Sequence, residues 1–231
     1  MMLKKIYFTF LFLLSTFLVN SQVVINEYSA SNFDSHLDNY GEYEDWVELY
    51  NSTNSDIDLN GWSLTDKPSN LSKWSFPGSF IVSANSVAIV YCSGLNELVG
   101  GVAHTNFKIT QTKAGEVFVL SDAGGNIVDS ARAVPAQKSH SRGRDVNGGT
   151  TWSVFTTATP NTNNSGAMLE YAPLPIFSQS SGYYSAPFDL TLSCADPNAI
   201  LYYTTDGSKP DNSANLYTGP FNISSTSVVK A

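Results

Sequence analysis

The 231-residue sequence is poor in cysteine, histidine and charge: it has two cysteines and three histidines, and charged residues make up 14% of it. So few cysteines exclude a disulfide-dense mini-scaffold, and 42% hydrophobic with 13% aromatic residues excludes a disordered tail, a collagen or a coiled coil. Positive charge is scarce as well. Twelve Lys and Arg stand against 20 Asp and Glu, a formal charge of −8, so there is no basic footprint for nucleic acid or an anionic membrane surface. The histidines, His36, His104 and His140, are too scattered for a zinc set. No Gly-x-Ser-x-Gly elbow, phosphate-binding loop or dinucleotide fingerprint occurs, and the expectation is that these residues form no enzyme.

One long apolar run exists, Ile6–Val19, preceded by Lys4 and Lys5 and followed by Val19-Asn20-Ser21. At about 14 residues it is short of the roughly 20 needed to cross a bilayer, and it reads as a secretory signal peptide over 1–21 with cleavage before Gln22. The expected product is secreted or held at a bacterial cell surface, with no membrane span after cleavage. Its two cysteines, Cys92 and Cys194, read as separate thiols, since a disulfide would have to join two domains.

From Val23 onward apolar residues recur with a period of two between Gly, Asn, Asp, Ser and Pro. Strands are expected at 23–28, 46–50, 62–64, 73–76, 86–91, 107–110, 116–121, 127–132 and 151–155. That series predicts an all-β sandwich over 22–165. A Pro- and Asn-rich stretch follows, a last loop and then a linker over 166–175, and a second, smaller sandwich over 176–231 with strands at 188–194, 200–205, 216–221 and 228–230. The run Val228-Val229-Lys230-Ala231 reads as a strand in which the sequence stops, so the second sandwich is expected to be C-terminally incomplete and the chain a piece of a longer protein.

Three passages are specific: Val24-Ile25-Asn26-Glu27-Tyr28, Glu44-Asp45-Trp46-Val47-Glu48-Leu49-Tyr50-Asn51 and Asp58-Leu59-Asn60-Gly61-Trp62-Ser63-Leu64. With His104-Thr105-Asn106-Phe107 and Gly124-Gly125-Asn126-Ile127-Val128-Asp129, they resemble the lamin-tail domain in its secreted bacterial form, an immunoglobulin-like sandwich. Tyr202-Tyr203-Thr204-Thr205-Asp206-Gly207-Ser208 with Tyr217-Thr218-Gly219-Pro220 resembles the small C-terminal β-sandwich of chitobiases and hexosaminidases. The resemblance implies non-catalytic extracellular modules that bind protein or polysaccharide. The alternative it implies is the N-terminal accessory region of a larger extracellular enzyme, with a CotH kinase-like or hydrolase domain beyond residue 231.

Two constellations suggest binding. Ten of the 20 acids fall between Glu27 and Asp66 with no Lys or Arg among them, and within that stretch Asp34, Asp38, Asn39, Glu42, Glu44 and Asp45 form a candidate Ca²⁺ loop. Trp46, Glu48 and Tyr50 alternate with Val47 and Leu49. If Val47 and Leu49 face the core, Trp46 and Tyr50 form an outer aromatic platform for a sugar or protein; if not, Glu48 is a buried acid in need of a donor. The basic cluster Lys138–Arg144 reads as a solvated hairpin end.

Overall fold

The computed structural model describes residues 22–112 and 116–231; the expected signal peptide lies outside the described residues. The chain divides between Leu169 and Glu170 into two compact units. No helix occurs among the described residues, so none is long and apolar enough to cross a membrane.

In the first unit the strands are β1 (Val23–Ser29), β2 (Trp46–Asn51), β3 (Ile57–Asp58), β4 (Ser63–Thr65), β5 (Trp74–Ser75), β6 (Ile81–Val82), β7 (Val87–Tyr91), β8 (Glu97–Val99), β9 (Val102–His104), β10 (Val117–Ser121), β11 (Ile127–Arg132), β12 (Ser141–Arg144) and β13 (Trp152–Phe155). A seven-stranded sheet runs β13-β12-β1-β2-β7-β9-β8, a four-stranded sheet runs β11-β10-β4-β5, and β3 pairs with β6. All pairings are antiparallel except β7 with β9. The inward residues Val23, Ile25, Tyr28, Val47, Leu49 and Val90 of the larger sheet pack with Leu64, Phe118, Leu120 and Ala131 of the smaller one in a single core. Tyr28 meets the Phe118 ring edge-on at 5.0 Å and ties the sheets further by donating its hydroxyl to the Arg132 carbonyl. This is the sandwich that period-two patterning requires.

Three departures have local causes. Residues 107–110 are not a strand, because the Thr105 hydroxyl bonds both the Phe107 carbonyl and the Phe107 N–H and turns the chain there. The solvated hairpin expected at Lys138–Arg144 is instead β12, an interior strand of the larger sheet between β1 and β13. Ser141, Arg142 and Gly143 are buried, and the Arg144 guanidinium pairs with Asp129 at 2.8 Å and donates to the Ile25 carbonyl. A bulge also interrupts β1, where Ile25 faces Leu49 and Glu27 faces Glu48, leaving Asn26 as the extra residue.

The second unit is built of β14 (Ile176–Phe177), β15 (Phe188–Leu190), β16 (Leu192–Ser193), β17 (Tyr202–Tyr203), β18 (Asn215–Leu216) and β19 (Phe221–Ile223), in three two-stranded pairs, β14-β16, β15-β19 and β17-β18. Leu190 and Leu192 are its buried apolar residues, and Tyr203 stacks on Phe221 at 4.1 Å. Asp206-Gly207 turns as its sequence suggests: the Asp206 carboxylate accepts from Ser208 N–H, and Gly207 has φ +82°. Cys92 is a buried free thiol and Cys194 a half-buried one.

Candidate functional site

The outer face of the seven-stranded sheet carries a row of chemically distinctive side chains. Strand register places Gly143 opposite Glu27, Glu27 opposite Glu48, Glu48 opposite Ile89, Trp46 opposite Tyr91, and Tyr91 opposite His104. An outer face of a two-sheet sandwich ordinarily meets water. Here Trp46, Glu27, Glu48 and His104 are all 0% exposed, because two loops are laid across the face.

The first covering loop is 31–45, the candidate Ca²⁺ loop, and a side-chain amide organises it. Asn32 is buried, donates from Nδ2 to the carbonyls of His36 and Glu44 and accepts at Oδ1 from Ser35 and His36. Its acids have separate partners within the protein. Asp34 pairs with Lys138 at 2.7 Å, and Glu44 with Lys108 at 2.9 Å. Asp38 accepts from the N–H groups of Tyr40 and Glu42, Asn39 accepts from His104, and Asp45 accepts from Asn32 N–H. Burial pushes the Asp45 carboxyl up to about 6. Among the described residues no three His, Cys, Asp or Glu side chains gather as a metal site. Asp34, Asp38, Asn39, Glu42, Glu44 and Asp45 thus lie in a hydrogen-bonded loop in which Asp34 and Glu44 pair with lysines from distant segments of the chain.

Beneath this loop lies an aromatic stack. His36 stacks on Tyr91 at 6.0 Å and Tyr91 on His104 at 5.2 Å, with Tyr40 tilted against His104 at 5.6 Å. His36 Nε2 bonds the Tyr91 hydroxyl at 3.0 Å; burial lowers the pKa of His36 and raises Tyr91 to about 12. Ser93, His104 and Asn39 form a serine–histidine–amide array, with Oγ to Nδ1 at 2.9 Å and Nε2 to Oδ1 at 2.7 Å. The amide oxygen of Asn39 only accepts, so Nε2 donates and Nδ1 is left to Ser93. Ser93 is 6% exposed and His104 fully buried; the Asn39 bond fastens the loop to β9.

The second covering segment is 158–164. Its Thr159 donates to Glu27 from N–H at 2.9 Å and from Oγ1 at 2.6 Å, and Asn161 N–H donates to Glu48 at 2.8 Å. From the sheet itself, Ser141 Oγ donates to Glu27 at 2.5 Å and Asn26 Nδ2 to Glu48 at 3.0 Å. The bulged Asn26 also reaches Asn147 and Asn164, and its Oδ1 accepts from Gly148 N–H. Gly143 makes room: a β-carbon there would lie 2.9 Å from Glu27 Cγ. Burial raises the pKa of Glu27, and burial with repulsion from Glu27 raises Glu48 to about 8.

The structure joins one half of each reading of the β2 alternation. Val47 and Leu49 face the core, and Glu48 is nonetheless a buried acid supplied with donors. Trp46 is not an open platform: it packs with Ile89, Tyr91, Val102 and Ala158, and its Nε1 has no hydrogen-bond partner. Tyr50 is half-buried, with Gly148 (φ +69°) so near that a β-carbon would sit 3.0 Å from its ring.

What remains exposed is the outer side of the first loop. Phe33, Leu37, Tyr40 and Tyr43 are exposed, as is Leu95 across from them. A cavity of about 390 Å³ is lined by Asp38, Tyr40, Glu42, Glu44, Leu95 and Glu97, and the Tyr40 hydroxyl donates to Glu97 at 2.6 Å. The sequence pointed to three of these six residues, Asp38, Glu42 and Glu44, for metal, but not to Tyr40, Leu95 or Glu97; exposed apolar residues in a short polar loop carry no periodic signal.

The family model of the lamin tail domain matches residues 19–134, a span that holds the bulged β1, the Glu27–Glu48 pair and the first covering loop. The chain belongs to the lamin tail domain family. In this lamin tail domain β12 and β13 lie beyond the matched span, yet they complete the larger sheet. Residues 179–231 match the chitobiase/beta-hexosaminidase C-terminal domain. A search of curated proteins found no match.

Proposed function

We propose that the chain supplies non-catalytic binding and spacing modules to a secreted or cell-surface protein, and that the lamin tail domain recognises an extracellular protein or polysaccharide through its 33–43 loop. The observation that carries this reading is the exposure of Phe33, Tyr40 and Tyr43 on a loop held by Asn32 and by the His104–Asn39 bond, where Tyr40 and Leu95 line an acidic cavity. Rigid aromatic side chains offer large contact area at low entropy cost, and neighbouring carboxylates accept hydrogen bonds from sugar hydroxyls or peptide donors. Sequestration of Ser93 and His104 beneath that loop supports a binding rather than a catalytic role.

In affinity gels containing a panel of extracellular polysaccharides, the full chain is expected to be retarded by at least one. The double variant Tyr40→Ala/Tyr43→Ala is expected to weaken that retardation at least about tenfold, which corresponds to about 1.4 kcal/mol, with unchanged tryptophan fluorescence. Equal retardation of parent and variant would remove the loop from the interface.

A further inference from the structure

Glu27 and Glu48 stand directly opposite each other, wholly buried, with no cation beside them. The arginines of β12 do not serve. Alternation puts Ser141 and Gly143 on the face of Glu27 and turns Arg142 and Arg144 to the other, where Arg142 bonds the Pro135 carbonyl and Arg144 bonds Asp129, Ile25 and Gly149. Facing from β7 are Ile89 and, one step along, Tyr91, whose phenol stays neutral well above pH 10. His36 adjoins Trp46 and Tyr91 and is biased to its neutral form. The 145–149 turn contributes one acid, Asp145, and segment 158–164 contains no titratable side chain. Every donor reaching the pair from that segment is neutral, and two like charges at one dehydrated site cannot both be stabilised by neutral donors alone.

We propose that segment 158–164 is a proton-held strap, closed over the sheet while Glu27 and Glu48 together retain one proton and released from it when both are ionised, uncovering Trp46. The strap is suited to local opening. Its hold on the sheet is polar, through Thr159, Asn161 and Asn164, and its apolar anchor is Ala158 against the Trp46 cluster. The main core of Val47, Leu49, Leu64 and Phe118 lies on the other face and does not depend on it. The sign is fixed by the direction of the shifts. Carboxyls whose folded-state pKa is raised favour the closed form fully below their ordinary value of 4.5 and lose that contribution as pH rises through the folded value, near 8 for Glu48.

Hydrogen exchange of the full chain, each amide normalised to its intrinsic rate, tests this between pH 6 and 10. Protection of Thr159 and Asn161 is expected to fall at least about tenfold across that range while Val47, Leu49 and Leu120 keep theirs. The neutral isostere Glu48→Gln is expected to hold the strap amides at constant protection throughout. Acrylamide quenching of tryptophan should rise with pH in the parent alone. Constant protection of Thr159 and Asn161 in the parent would overturn the proposal, as would an equal loss in Glu48→Gln. If that variant does not fold, Glu27→Gln, which also leaves a single carboxyl, stands in its place, and the parent profile remains decisive on its own.

Discussion

Replacing Trp46 by alanine is expected to cost about 3–5 kcal/mol of stability, the range for removing a large buried aromatic residue. The indole is 0% exposed and fills the space between the sheet face, the His36 ring and Ala158. An exposed platform residue would behave otherwise, its removal costing no more than about 0.5 kcal/mol while abolishing binding. Trp46→Phe separates packing from hydrogen bonding. Because Nε1 is unpartnered, phenylalanine forfeits no hydrogen bond and should cost less than half as much as alanine. Urea denaturation followed by circular dichroism supplies both numbers.

The second large effect is expected at the bulge. Asn26→Asp keeps the shape but removes the amide that donates to Glu48, Asn147 and Asn164, and adds a third carboxyl to a site that already holds two. A destabilisation of about 3–5 kcal/mol follows from stranding a buried charge and its former acceptors. The loss should be smaller at pH 5 than at pH 8, since protonation restores a donor and removes the repulsion. All four tryptophans, Trp46, Trp62, Trp74 and Trp152, lie in the first unit, so their fluorescence reports its unfolding without a contribution from the second. An equal loss at both pH values would mean that charge is not what makes the site costly.

The strands rich in β-branched and aromatic residues were legible in the sequence: β1, β2, β7, β10, β11 and β13 lie where such residues cluster between turn residues. The shorter β8 and β9 were not, being three residues each. Strand β12 was hidden by its composition, because Ser-Arg-Gly-Arg reads as solvated. Its arginines are satisfied by carbonyls and an acid from distant segments, and its glycine is required by Glu27 across the strand pair. The covering segments were harder still. The stretch Thr159-Pro160-Asn161-Thr162-Asn163-Asn164 reads as loop by every local rule, and what fixes it is a pair of carboxylates more than 110 residues earlier. In the same way, Lys138 and Lys108, the partners of Asp34 and Glu44, are absent from the local sequence. Hydrogen bonds and ion pairs across such separations leave no periodicity, so the sandwich could be read and its second, polar interior could not.

That second interior is the centre of the account, and hydrogen exchange at pH 6 tests it most directly. In the full chain the amides of Gly148, Thr159 and Asn161, which donate to Asn26, Glu27 and Glu48, should exchange at least about a hundredfold more slowly than free-chain rates. Exchange of all three at free-chain rates would mean that the segment does not cover the sheet, and that Trp46 and Tyr50 are open to a ligand after all.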